Sequence, residues 1–223
     1  MKKLLLVLLL PLVAGVAFAD DSPSPKLNQS IFRMYMNAGD QVAGAGSVTY
    51  TDQGLMTCFH CVEMLGKAYY RRVPGKPLEV VGFMTAEVID AWGVRRDIVS
   101  WERIHADIVV LVLDGEIPEN WVPLKWGAMP VPGDMVKAAG YFGYSGFGDK
   151  DKALLSVSVG YMHGAIIELA RAGPQVYLTH SAPVASGMSG SALLNTAGEV
   201  IGITSWVGGS GWAQSGAGRP VVD

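Results

Sequence analysis

The sequence predicts an all-β protein of two lobes, on three observations. Short apolar runs alternate with turn signals at the intervals of sandwiches and barrels. Gly is abundant at 28 and Pro moderate at 12, which suits a chain full of turns. The two stretches with helical character, 61–67 and 165–171 (AIIELAR), are both short. With 223 residues, 50% of them hydrophobic and 17% charged, the chain has enough material for one sizeable core or two small ones sharing a cleft.

Taken in order, residues 1–19 read as an export signal. Lys2 and Lys3 form the charged start, 4–16 is apolar and interrupted only by Pro11, and Ala17-Phe18-Ala19 offers small residues at both positions a signal peptidase reads. The apolar stretch is short for a membrane span, which needs about 20 residues. Cleavage before Asp20 is therefore expected, giving a periplasmic or secreted protein without a stable membrane anchor. A polar, flexible leader follows at 20–30 (DDSPSPKLNQS). Strands are expected at 31–37, 42–50, 78–82, 86–91, 108–113, 135–142, 154–160, 175–179 and 199–206. The polar stretch 114–121 divides the chain into lobe one (about 31–115) and lobe two (about 120–210), and 211–223 is a Gly-rich tail. No repeat of 20–50 residues points to a solenoid or propeller.

Removing Lys2 and Lys3 with the signal leaves 15 basic residues against 20 acidic, a balance of −5. A mildly acidic surface offers no electrostatic reason to expect nucleic acid or an anionic membrane as partner.

The chemistry-bearing segments begin with Gly187-Met188-Ser189-Gly190-Ser191, a turn leading into an apolar strand. A serine hydroxyl attacks a carbonyl only if a base takes its proton and fixed donors receive the oxyanion. The glycines flanking Ser189 allow the backbone angles that turn the N–H groups of Gly187 and Ser189 toward one point, and Gly190 is expected to leave room for substrate and base. His60 lies in Thr57-Cys58-Phe59-His60-Cys61, preceded by Gly44-Ala45-Gly46-Ser47-Val48. Asp107 opens the apolar run 108–113. A buried acid there needs hydrogen bonds, and the imidazole of His60 is the expected donor. The chain order His, Asp, Ser excludes the esterases whose G-x-S-x-G serine comes first.

These segments resemble the chymotrypsin-like serine proteases. The "T-x-x-H-C" segment at 57–61, the Asp before buried aliphatics, and a serine turn running through strand, turn and strand to Ser205-Trp206 all match, in the same order. The likeness spans nearly all of 31–210, with Gly133-Asp134 and Gly140-Tyr141 similar to the opening of the second lobe. It implies two six-stranded Greek-key barrels with the active site in the cleft between them. It also implies a polypeptide substrate, no cofactor and no metal, and a triad of Ser189, His60 and Asp107. A catalytically silent relative acting as a binding module is the alternative.

Three departures stand out. Met188 precedes the nucleophile where zymogen-derived members hold an Asp, so activation by insertion of a new N-terminus is not available, which places the chain nearer to bacterial high-temperature-requirement and viral members. Cys58 and Cys61 bracket the base; the Cys partner usual in the family has no counterpart at Ala43–Gly46, leaving either a local Cys58–Cys61 disulfide or free buried thiols. The primary pocket is expected near Pro183, Val184, Ser205, Trp206 and Val207. Pro183 stands where trypsin-like enzymes carry an acid and Val207 where a glycine is common, which favours small or medium apolar side chains. His180 is expected either to touch that pocket or to be a turn histidine satisfied by the backbone.

Overall fold

The computed structural model describes residues 25–105, 107–142, 154–170 and 173–205. The expected signal, the start of the leader, the tail, Trp206 and Val207 lie outside them. Among the described residues no helix is long and apolar enough to cross a membrane.

The first sheet holds β1 (Ile31–Ala38), β2 (Gln41–Thr51), β3 (Gly54–Cys58), β4 (Ala68–Arg71), β5 (Glu79–Ile89), β6 (Arg95–His105) and β7 (Ile108–Leu113). Its order is β1-β2-β3-β7-β6-β5-β4, and β1 also pairs with β5, so six strands close on themselves and β4 is appended to β5. Closure removes the sheet edges that would otherwise expose unpaired N–H and C=O groups. The barrel interior is filled by Phe32, Met34, Val48, Leu55, Val88, Val109 and Leu111 among others, and Phe32 stacks on Trp121 at 3.9 Å between ring centroids.

The second sheet comprises β8 (Met135–Phe142), β9 (Leu154–Ala170), β10 (Gly173–His180), β11 (Ala192–Leu194) and β12 (Val200–Ile203), in the order β10-β9-β8-β11-β12. Its inner strands bury both faces. On β8, Val136 and Ala138 face a core shared with Met162, Leu178 and Met188. Ala139 and Tyr141 face the opposite way, into a cluster with Ile31, Met56, Cys58 and Ile108 of the barrel. The two-residue period of a strand makes this division. The architecture is the two-lobed chymotrypsin-like one, with a closed six-stranded barrel and a half-barrel among the described residues.

Between the sheets the chain acts as a staple. Leu124 bridges Thr51 in lobe one and Trp126 bridges Val200 in lobe two; Leu124 N donates to Tyr50 O at 2.9 Å and Val200 N to Lys125 O at 2.8 Å. Leu124 is 1% exposed, so the seam between the lobes is sealed by the linker itself.

Three secondary-structure expectations require correction. The strands expected at 78–82 and 86–91 are one continuous strand, β5. The stretch 165–170 is not helical: it continues β9 and pairs antiparallel with β10, Ile166 opposite Tyr177 and Ile167 opposite Val176. Cross-strand pairing overrides the weak helical preference of Ala, Leu and Glu. Near the base the helix is a single turn, α1 (Phe59–Val62), beginning before 61 and ending well before 67. β3, β4 and β6 were not among the expected strands, and the exposed polar face of β6 hides its apolar alternation.

Candidate active site

Strand register brings His60 and Asp107 together across 47 residues of sequence. β3 and β7 are antiparallel neighbours with Cys58 opposite Ile108, and Phe59 N donates to Asp107 O at 2.9 Å, adding one rung beyond the ladder. The chain then turns helical, which swings His60 back over the carboxylate. His60 Nδ1 lies 2.9 Å from Asp107 Oδ2, and the His60 backbone N–H donates to Oδ1 at 3.1 Å. Phe59 holds the turn down, edge-on to Trp101 at 5.1 Å and beneath the Arg103 guanidinium at 4.0 Å.

A third donor reaches Asp107 from the other lobe: Ser205 Oγ donates to Oδ2. Burial pushes the carboxyl upward most strongly, but the bonds from His60 and Ser205 together outweigh it and hold Asp107 below its usual range. The His60 imidazole is raised to about 10, first by the bond to Asp107 and then by Cys61, against the opposing pull of burial. With Nδ1 as donor to the carboxylate, Nε2 is the nitrogen left for proton transfer.

Ser189 comes from the turn before β11 and is 8% exposed. Its turn is docked onto β2 through Ser47, itself fully buried. Ser47 N donates to Ser189 O at 2.7 Å, Ser47 Oγ donates to Gly187 O at 3.0 Å, and Ser47 Oγ accepts from Tyr141 N at 3.0 Å. Thr49 Oγ1 donates to Gly190 O at 2.9 Å, and Thr57 Oγ1 secures the Ser47 carbonyl at 2.7 Å. Cys61, next to His60 in sequence, has its Sγ 4.0 Å from Ser189 O. The serine turn and the histidine turn therefore meet across the seam. Among the described residues no hydrogen bond yet joins Ser189 Oγ to His60.

The peptide orientations around Ser189 follow from these contacts. The Met188 carbonyl accepts from Ser191 N at 2.9 Å and from Ser191 Oγ. In a trans peptide C=O and N–H point oppositely, so the Ser189 N–H is turned away from Ser191. Gly187 has φ of 95°, a conformation side chains rarely adopt. Neither the Gly187 nor the Ser189 N–H has an acceptor among the described residues, as the expected oxyanion donors require.

Gly190 does something other than expected. At φ of 90°, a Cβ there would lie 1.9 Å from Ser47 O and 2.3 Å from Thr57 Oγ1. Its missing side chain makes room for lobe one rather than for substrate.

Of the other expected residues, Cys58 and Cys61 are free thiols, so the disulfide is not formed. Cys58 points into the core between the lobes and donates to Thr204 O at 3.1 Å. Burial above all raises its pKa, while Cys61 is lowered by the hydrogen bond from Cys58 and by His60 despite burial. Cys58, His60 and Asp107 present ligand-type atoms within 4.8 Å of one another. A buried Cys58 kept as thiol is not in the ligand form, and Asp107 Oδ2 is already engaged by two donors.

Ser205, expected to line the pocket, commits its hydroxyl to Asp107 instead. Pro183 is exposed and its carbonyl accepts from Ser158 Oγ, while Val184 packs on the lobe-two core. His180 is 2% exposed and neither ring nitrogen has a hydrogen-bond partner. Burial first of all pushes it down to about 4, against a weaker upward pull from the Ala182 backbone. Met188, 3% exposed, packs in the same core, where a charged residue would be costly.

Sequence reasoning missed Ser47, Thr49 and Thr57. A hydroxyl on a strand looks like any β residue, and only the position of Ser47 beside Gly46 hinted at close approach: a Cβ on Gly46 would lie 3.1 Å from Ser189 O.

A family model of the trypsin-like peptidase domain matches residues 44–203. No curated protein sequence matches the chain. Among solved structures it is similar to a serine endoprotease from Yersinia pestis, with TM-score 0.54 and 18% identity, covering 86% of this chain and 60% of that one. It is also similar to Rv3671c from M. tuberculosis H37Rv, solved as a serine-to-alanine mutant in an inactive form (TM-score 0.58, 15% identity, 86% and 81% covered). A third, Deg5, gives TM-score 0.57 at 21% identity, with 81% of each chain covered. The chain thus spans about 60% of the length of the Yersinia protein, and at these identities the likeness concerns the fold. The family match takes in the His60 turn, Asp107 and Ser189 alike. The chain belongs to the trypsin-like peptidase domain family.

Proposed function

We propose that this protein is an exported endopeptidase that hydrolyses peptide bonds through an acyl-enzyme, with Ser189 as nucleophile, His60 as general base and Asp107 as the orienting acid. The single observation that carries the reading is the His60–Asp107 pair, held at 2.9 Å and completed by Ser205 from the opposite lobe beside the serine turn. His60 Nε2 takes the Ser189 proton as Oγ attacks the substrate carbonyl. The N–H groups of Gly187 and Ser189 receive the oxyanion, and His60 then delivers the proton to the leaving amine. Water repeats the sequence on the ester and restores the serine. Asp107, accepting from Nδ1, stabilises the imidazolium formed in each half.

Base and nucleophile come from different lobes, so proton transfer requires only that Ser189 Oγ close on Nε2 when a substrate fills the cleft; such contacts tighten in the complex. Export rests on the signal at residues 1–19, and the substrate is then a polypeptide met outside the cytoplasm. The buried Met188 supports a form that needs no new N-terminus. Labelling with a fluorophosphonate probe tests the reading. The intact protein should label, and Ser189→Ala and His60→Ala should not. Equal labelling of all three would leave the silent binding module as the better account.

A further inference from the structure

Strand register fixes where the His180 side chain points. His180 ends β10 and shares a face with Leu178, two residues back. Across the ladder the pairing steps from Thr179–Gly164 to His180–Met162, which leaves His163 of β9 as the extra, exposed residue of a bulge. Directly paired residues lie on one face of a sheet. His180 therefore enters the lobe-two core with Met162 and Leu178, the core that also holds Ala182, Met188 and Leu193.

Nothing among the described residues of that core would pair with an imidazolium. On β8 the charged residue Lys137 alternates away from the core-facing Val136 and Ala138, and β11 and β12 carry no ionisable residue. Glu199, just before β12, is held by Asn195. Of the ionisable groups only His163 acts on the ring, and it opposes the cation. Neither ring nitrogen has a hydrogen-bond partner, and at 2% exposure the ring is shut off from water. Neutral imidazole is tolerated in such a place, whereas the cation would be desolvated without a counter-ion. The two lobes differ in how they would meet that cost. Lobe one is a closed barrel with no histidine in its core. In lobe two, His180 sits on β10, an edge strand that among the described residues is paired with β9 alone.

We propose that His180 is an acid switch built into lobe two: its protonation releases the β10 edge and the core beneath the Met188–Ser189 turn, while the closed barrel of lobe one keeps its structure. Only the consequence for Ser189 as nucleophile rests on the proposed catalytic reading; the release of β10 does not.

The direction follows from linkage. Burial holds the folded His180 neutral down to about 4, against 6.5 for a free imidazole. Its contribution to stability is complete above pH 6.5 and is lost progressively as the pH falls from 6.5 toward 4. The test is hydrogen exchange of the full protein, read by mass spectrometry and corrected for intrinsic rates. Between about pH 7.5 and about pH 5 the open fraction of β10 and of the serine turn should rise about thirtyfold, the ratio those two values set. β3 and β7 of lobe one should stay protected, and His180→Leu should abolish the rise. The ring C–H resonance of His180 in the unaltered protein gives a measure that needs no variant, and it should titrate only together with the loss of lobe-two protection. Equal exchange of β10 at both pH values, a rise that His180→Leu retains, both lobes opening together, or a His180 resonance titrating near 6.5 with lobe two intact would each overturn the switch. None of these outcomes bears on fluorophosphonate labelling at neutral pH, whose failure would remove the catalytic reading alone.

Discussion

Replacing Ser47 by Ala should damage both stability and reactivity, although Ser47 is no member of the triad. Its Oγ donates to Gly187 O and accepts from Tyr141 N, each at 3.0 Å. Ser47 is fully buried, so water does not replace the hydroxyl easily. A buried group stripped of its partner costs about 1–3 kcal/mol. Two such groups give a loss of about 2–6 kcal/mol, a large share of the ~5–15 kcal/mol that keeps a domain folded. The Gly187 carbonyl also fixes the loop carrying one of the two proposed oxyanion donors; loosening it should slow acylation by about 10–100-fold, short of the 10²–10³ for outright loss of a donor. Urea unfolding followed by tryptophan fluorescence measures the first quantity, and the rate of fluorophosphonate labelling under native conditions measures the second. A stability loss below about 1 kcal/mol with an unaltered labelling rate would show that the inter-lobe bonds of Ser47 do not hold the nucleophile turn.

Three further outcomes are expected. Asp107→Asn should retain the fold but lower kcat by about 10⁴, because the carboxamide cannot stabilise the imidazolium; a loss under tenfold in steady-state hydrolysis would remove Asp107 from the triad. Since His60 acts as base only when neutral and its pKa is raised to about 10 by Asp107 and then Cys61, kcat/KM should rise with pH well above the ordinary imidazole value of 6.5. Cys61→Ser should move that rise to lower pH, and a pH profile in which it stays put would dismiss the thiol's influence. Gly190→Ala should be among the most destabilising single changes, since the left-handed backbone costs about 1–2 kcal/mol and the added methyl meets the Ser47 carbonyl at 1.9 Å; wild-type thermal stability would mean the lobes separate more readily than their contacts imply.

The sequence by itself determined the all-β class and singled out His60, Asp107 and Ser189 as the candidate reactive groups, for a physical reason. Each sits in a short segment whose chemistry is local: a histidine after a strand, an acid before buried aliphatics, a serine between glycines. Periodicity over a few residues likewise marked β1, β2, β7 and β8. Where the local preference and the distant partner disagreed, the partner won, as in 165–170, which β10 holds extended. β6 was invisible because it carries little apolar alternation and owes its form to pairing with β5 and β7.

Only the tertiary structure decided how the lobes are joined. Ser47 gripping Gly187 and Ser189, Ser205 turned onto Asp107, Gly190 emptied for a carbonyl of lobe one and Cys58 buried as a thiol in the seam are all contacts between residues tens to more than a hundred positions apart. Such contacts depend on strand register and on which face each sheet turns inward, and no short stretch of sequence encodes either. The candidate reactive groups could be read from the chain; the scaffold that holds them emerges only when both sheets are packed.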